Sequence, residues 1–206
     1  MVLPLREPVL TLKAAASVDR LSGGRLLLGV ASGDRPVEYP VFGRDFEQRG
    51  AAFREQVAML RDWGETRLPS GIRLLPKPAA PLPLLVAGLA QQSPAWIGAQ
   101  MDGWLAYPGT PDDHARRSAQ WRAVAGGDKP YVSFIHLDLD EDAAMPLQRF
   151  RFGGRTGRHG LVAELHAMRD AGVRHIGLQL RQNRRPLAET MQEIAEYVLP
   201  VFHGAA

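Results

Sequence analysis

Short apolar runs of strand length alternate with amphipathic helical segments along this chain, and that alternation constrains the fold more than any other feature. The run Arg25–Val30 (RLLLGV) follows Gly23-Gly24 and carries no polar side chain after Arg25. Such a run suits a strand buried on both faces, the usual state of strands in parallel sheets. Similar runs occupy Leu82–Gly88, Gly103–Tyr107, Tyr131–Leu137 and His175–Leu180, and Val2-Leu3 reads as the tail of another strand. Between them, helical patterns span Pro8–Leu21, Phe46–Trp63, Ser93–Met101, Asp112–Val124, Leu161–Ala171 and Glu189–Val198. Ser93-Pro94 reads as an N-cap followed by a proline in the first turn, and Gly172 as a C-cap. Strand–helix alternation of this sort predicts parallel strands joined by right-handed helical crossovers.

Two stretches interrupt the pattern: the proline-rich 65–83, and 138–160, which contains RFRFGGRTGRHG. Both are expected outside the sheet, because long excursions between elements are usually functional or mobile. The second suits either a mobile lid or an exposed flexible loop. A length of 206 residues favours a single domain, 1–206. The 25 basic and 22 acidic residues are interspersed, with a net charge of +3, so neither nucleic acid nor a membrane surface is expected as partner. The absence of cysteine excludes disulfides, thiolate metal sites and a cysteine nucleophile, and suits a reducing cytoplasm. No run approaches the ~18 apolar residues of a membrane span. MVLPLREPVL also lacks the basic start and long apolar core of a secretory leader.

The loop Ala31–Arg35 (ASGDR) directly follows the Arg25–Val30 run. Ligands of parallel sheets bind beyond the carboxyl ends of the strands, which makes Ser32 and Gly33 candidate contacts; a structural turn explains them equally well. Gln91-Gln92-Ser93 lies between the strand that ends at Gly88 and a helix start. Free N–H groups and the positive helix end favour a phosphate there, while simple capping by Ser93 is the plainer alternative. Arg49, near the start of the Phe46 helix, offers either a charge-assisted contact to phosphate or a solvated surface cation. The six histidines show no metal-ligand spacing; His136 and His175 fall on strands and read as core histidines. Asp138, Asp140, Glu141 and Asp142 read as a solvated acidic turn, without the spacing of a calcium loop.

Taken in order, four pieces resemble the luciferase-like monooxygenase family of flavin- and deazaflavin-dependent oxidoreductases. They are LPLREPVLTLKAAASVDRLSGGRLLLGVASGDRPVEYPVFG, FEQRGAAFREQVAMLRDW, PLLVAGLAQQSPAWIGAQMDGWLAYP, and GVRHIGLQL followed by ETMQEIAEYVLPVF. The resemblance implies an α/β fold of the (β/α)8 TIM-barrel type. Its matching pieces begin within the family's third strand, so the expected barrel is incomplete, without strands 1–2 and most of strand 3. It also implies an enzyme that oxidises a small organic substrate with O2 and reduced FMN, with a deazaflavin as the alternative coenzyme. A non-catalytic flavin-binding protein, or an inactive fragment of such an enzyme, is the other reading. Carried over by position, Ser32 and Gly33 fall near the cofactor, and Arg49, Gly88, Gln91, Gln92 and Ser93 near its phosphate. No catalytic residue and no metal is assigned, and the family's habit implies a homodimer.

Overall fold

The computed structural model describes residues 1–62, 68–78 and 80–203. The chain forms two compact units, Met1–Leu105 with Val124–Lys129, and Ala106–Ala123 with Pro130–Ala206.

In the first unit, strands β1 (Leu28–Val30), β2 (Leu84–Ala87) and β3 (Gly103–Leu105) run parallel. β2 is central, with Leu28 opposite Leu84 on one side and Gly103 opposite Leu85 on the other. Val30, Leu84 and Val86 are fully or almost fully buried, as the uninterrupted apolar runs require. Helices α1 (Pro8–Leu21), α2 (Arg49–Arg61) and α3 (Pro94–Gln100) belong to the same unit. α2 buries Phe53, Val57 and Leu60 at helical spacing, and packs on α1 and on the 3-10 turn Leu3–Leu5. The Phe53 ring meets Trp96 of α3 edge-on at 6.2 Å. At the far end of α2, Arg61 pairs with Asp102 at 2.8 Å, and the same carboxylate oxygen accepts the Leu84 N–H. One carboxylate thus fastens the helix end to the start of β2.

The first unit departs from expectation at two places. α2 begins at Arg49 rather than Phe46, after a turn, and Trp63 lies outside the described residues, as do 64–67 and 79. Val2 forms only an isolated parallel bridge to Ala31 before the chain enters the 3-10 turn. Pro4 has no N–H with which to continue a ladder.

The second unit holds α4 (Pro111–Ala125), whose last two residues group with the first unit, and β4 (Tyr131–Leu139). It continues through β5 (Gln148–Phe150), β6 (Gly153–Thr156), α5 (Arg158–Asp170) and β7 (His175–Gln179). A terminal helical run follows: α6 (Leu187–Glu193), a π-helical turn Ile194–Val198, and α7 (Leu199–His203). β7 pairs parallel with β4 along Val132–His136, and β6 along His136–Leu139. Leu137, Leu139, Leu161, Leu165, Ile194 and Val198 form the core.

The excursion 138–160 does not stay outside the sheet. RFRFGGRT folds as the antiparallel β5–β6 hairpin, and β6 joins β4. Gly153 is the reason: a Cβ there would stand 1.8 Å from the His136 carbonyl oxygen, so only glycine lets the strands approach this closely. The fold is α/β of the (β/α)8 type with an incomplete barrel. Seven strands among the described residues, one of them antiparallel, fall short of the eight parallel strands that close such a barrel. No helix among the described residues is long and apolar enough to cross a membrane.

Candidate cofactor site

All seven residues singled out from the sequence lie in the first unit. β1 delivers Ser32 and Gly33 at its carboxyl end. Ser32 is buried, and its carbonyl accepts a hydrogen bond from the Tyr39 hydroxyl. Gly33 has φ +81°, and a Cβ there would lie 2.8 Å from Val2 and 3.0 Å from the Tyr39 hydroxyl. Left-handed backbone and crowding both demand glycine. Burial raises the Tyr39 phenol above its ordinary value, so it stays a donor. Its ring meets Phe46 edge-on at 5.2 Å, and the Arg49 guanidinium stacks 3.6 Å from the Phe46 centroid. Arg49 Nη1 donates to the Phe46 carbonyl at 2.8 Å, while its buried Nε has no partner.

β2 delivers the second group. Gly88, Ala90 and Gln91 all adopt left-handed backbone, with φ of 63°, 46° and 61°. Glycine does so freely, but Ala90 and Gln91 each carry about 1 kcal/mol or more of strain. Neighbours hold the loop in place. The Gly88 carbonyl accepts from the Trp104 indole at 2.9 Å. Gln92, buried, donates from Nε2 to the carbonyls of Gly50 (2.8 Å) and Ala90 (3.0 Å). Its Oε1 accepts twice from Arg54, at 2.8 and 3.1 Å. A Cβ at Gly50 would stand 2.9 Å from the Gln91 Cβ, so a small residue in the first turn of α2 lets this loop come close. The Ser93 hydroxyl caps α3 by accepting the Trp96 N–H at 3.2 Å.

The structure therefore joins Gln91 and Gln92 to the start of α2, where Arg49 sits, and links Ser32 and Gly33 to Arg49 through Tyr39 and Phe46. Gly50, Arg54 and Tyr39 complete the arrangement and were not singled out from the sequence. A glycine in a first helical turn is a readable sign of close approach. Arg54 gives no such sign, because its partner lies 38 residues away. Among the described residues neither Arg49 nor Arg54 pairs with a carboxylate. Arg54 meets the Gln92 amide oxygen and the Trp96 ring, 5.6 Å from its centroid. Two cations held by neutral partners keep their charge available to an anion.

Three further expectations are corrected in the second unit. His175 is exposed rather than in the core, and His136 is half-buried with an unpartnered Nδ1. The fully buried histidine is His114, whose Nδ1 lies 2.8 Å from the Tyr131 hydroxyl. Asp138 is not a solvated turn residue: it is buried and bound by the Arg184 N–H and Nε at 3.0 and 3.1 Å. Among the described residues no group of three or more His, Cys, Asp or Glu could hold a metal ion.

The profile of the luciferase-like monooxygenase family matches residues 1–197. The chain belongs to this family. An uncharacterized protein of Mycobacterium tuberculosis is 33% identical over 149 residues, covering 66% of this chain and 51% of the relative. The F420-dependent glucose-6-phosphate dehydrogenase of Amycolatopsis mediterranei is 28% identical over 166 residues, 70% of this chain and 50% of the relative. This luciferase-like chain thus spans about half the length of the curated relatives it matches. The crystal structure of monooxygenase RslO1 from Streptomyces bottropensis shares the fold, with a TM-score of 0.75 and 22% identity over 98% of this chain and 76% of that one.

Proposed function

We propose that this luciferase-like chain carries the phosphate side of a flavin or deazaflavin site in an oxidoreductase acting on a small organic substrate. The observation that carries the reading is the pair Arg49 and Arg54, two arginines with only neutral partners beside the left-handed Gly88–Gln91 loop. A phosphate-bearing cofactor fits these residues, since the buried Nε of Arg49 lacks the acceptor that a phosphate oxygen provides. When bound, the cofactor supplies the redox chemistry that no side chain here offers. The chain's own residues bind and orient it. Arg49 and Arg54 offset the phosphate charge, and Gln92 locks the loop against the start of α2. The Tyr39–Ser32 bond holds the end of β1, with Gly33 permitting close approach of backbone.

Reduced FMN with O2 as oxidant is the leading form of this reading, in keeping with the monooxygenase family. A deazaflavin is the second, favoured by the likeness to an F420-dependent dehydrogenase. Titration of the purified protein with FMN and with F420, followed by fluorescence, discriminates the two. Saturable binding of one of them is expected, and binding of neither rejects the reading. Cofactor bound without any oxidation of added substrates points instead to a non-catalytic flavin-binding protein.

A further inference from the structure

The turn of the β5–β6 hairpin breaks a local rule. Phe152 adopts left-handed backbone, with φ of 69°, at a turn position that ordinarily falls to glycine or asparagine. For a bulky side chain such backbone is strained. Burial of the ring does not account for the strain, since Phe152 remains 37% exposed. The ring is instead placed among neighbours, 6.5 Å from Tyr107 and 6.2 Å from His136 between centroids. It forms one wall of a recess of about 150 Å³, set between the hairpin, Ile135 of β4 and the segment 108–113, where α4 begins. Phe150, Ile135 and Pro108 supply further apolar walls. The charged groups on the recess are already matched. Arg149 makes two bonds of 2.9 Å to Glu164, and Asp113 accepts from Arg116 and from the N–H and hydroxyl of Thr110.

We infer that this recess binds an uncharged monocyclic aromatic compound. A cavity of about 150 Å³ is the size that accepts a benzene ring. Two phenylalanine rings in the wall offer stacked or edge-on contact to such a ring, and the left-handed turn is what brings the Phe152 ring to the site. The strain at Phe152 then has a role, as strained residues gather at ligand clamps. Ionic ligands are disfavoured, because Arg149 and Asp113 would have to give up charge-assisted bonds to meet one. The inference does not rest on the cofactor reading, because every residue it uses lies in the second unit.

Phenol, uncharged at neutral pH, is the probe, titrated calorimetrically into the whole chain. Saturable binding is expected, insensitive to salt, with benzoate and benzylammonium binding more weakly. Phenol-induced amide chemical-shift changes are expected to concentrate at 108–113 and 149–153. Phe152→Gly suits the left-handed backbone while removing the wall, so it is expected to keep the fold and to weaken phenol binding roughly tenfold, the scale of a lost aromatic pair. Should that variant fail to fold, the shift map of the wild type and the order of the three ligands still decide. Absence of saturable phenol binding, shift changes centred outside the two segments, tighter binding of either charged analogue, or unchanged affinity in the folded Phe152→Gly variant each overturns the inference.

Discussion

Two regions at the carboxyl ends of parallel strands are rich in arginine and treat it in opposite ways. Beyond β4 in the second unit, cations are matched by carboxylates: Arg155 with Asp140, Arg184 with Asp138, and both Arg158 and Arg185 with Glu193. Beyond β1 and β2 in the first unit, Arg49 and Arg54 meet a carbonyl, an amide oxygen and aromatic faces. The difference is one of local charge balance. A neutralised network holds structure and has little net charge left to attract a ligand. Cations held by neutral dipoles are positioned without being discharged, so they keep their attraction for an anion. The presence of arginine at a strand end therefore says little about function until its partners are known.

The comparison breaks most visibly at the glycines that permit each region. Gly153→Ala drives a Cβ into the His136 carbonyl, and is expected to cost about 3 kcal/mol of stability in the second unit by overpacking backbone. A denaturant midpoint close to the wild type would show that β6 does not depend on that approach. Next come the charged residues themselves. Arg49→Ala is expected to weaken cofactor binding by about 1.5–3 kcal/mol, the worth of a hydrogen bond to a charged group, with little change in stability. Asp138→Asn is expected to do the reverse, lowering stability by about 1–2 kcal/mol while leaving cofactor affinity intact. Equal effects of the two substitutions on affinity would dissolve the contrast.

The smallest expected effect is a difference in pH response. Burial, aided by Arg117, holds His114 below its ordinary value, so in the folded second unit it takes up a proton only at lower pH than in the unfolded chain. The unfolded chain takes up that proton below a pH of about 6.5. Stability from this group is therefore complete above that pH and falls as the pH is lowered, by at most about 1.4 kcal/mol per pH unit. Denaturant titrations between neutral and mildly acidic pH measure the slope, and His114→Gln is expected to flatten it.

Much of the frame was readable from the residues in order. The apolar runs announced the parallel strands, Ser93-Pro94 announced the cap that Trp96 N–H completes, and a structural turn was one reading of Gly33, whose backbone is left-handed. These are signals between near neighbours, and local sterics and hydrogen bonding determine them whatever the rest of the chain does. The 138–160 excursion shows where such reading stops. Polar, glycine-rich sequence looks like a loop until one notes that Gly153 stands against β4, and acidic residues look solvated until Arg184 arrives from 46 residues away.

By itself the sequence determined the α/β alternation, the helix caps and the family to which the chain belongs. Only the tertiary structure decided which arginines are matched by carboxylates and which meet only neutral partners. Charge pairing is set by distance in space between residues far apart in the chain, and no local propensity encodes it.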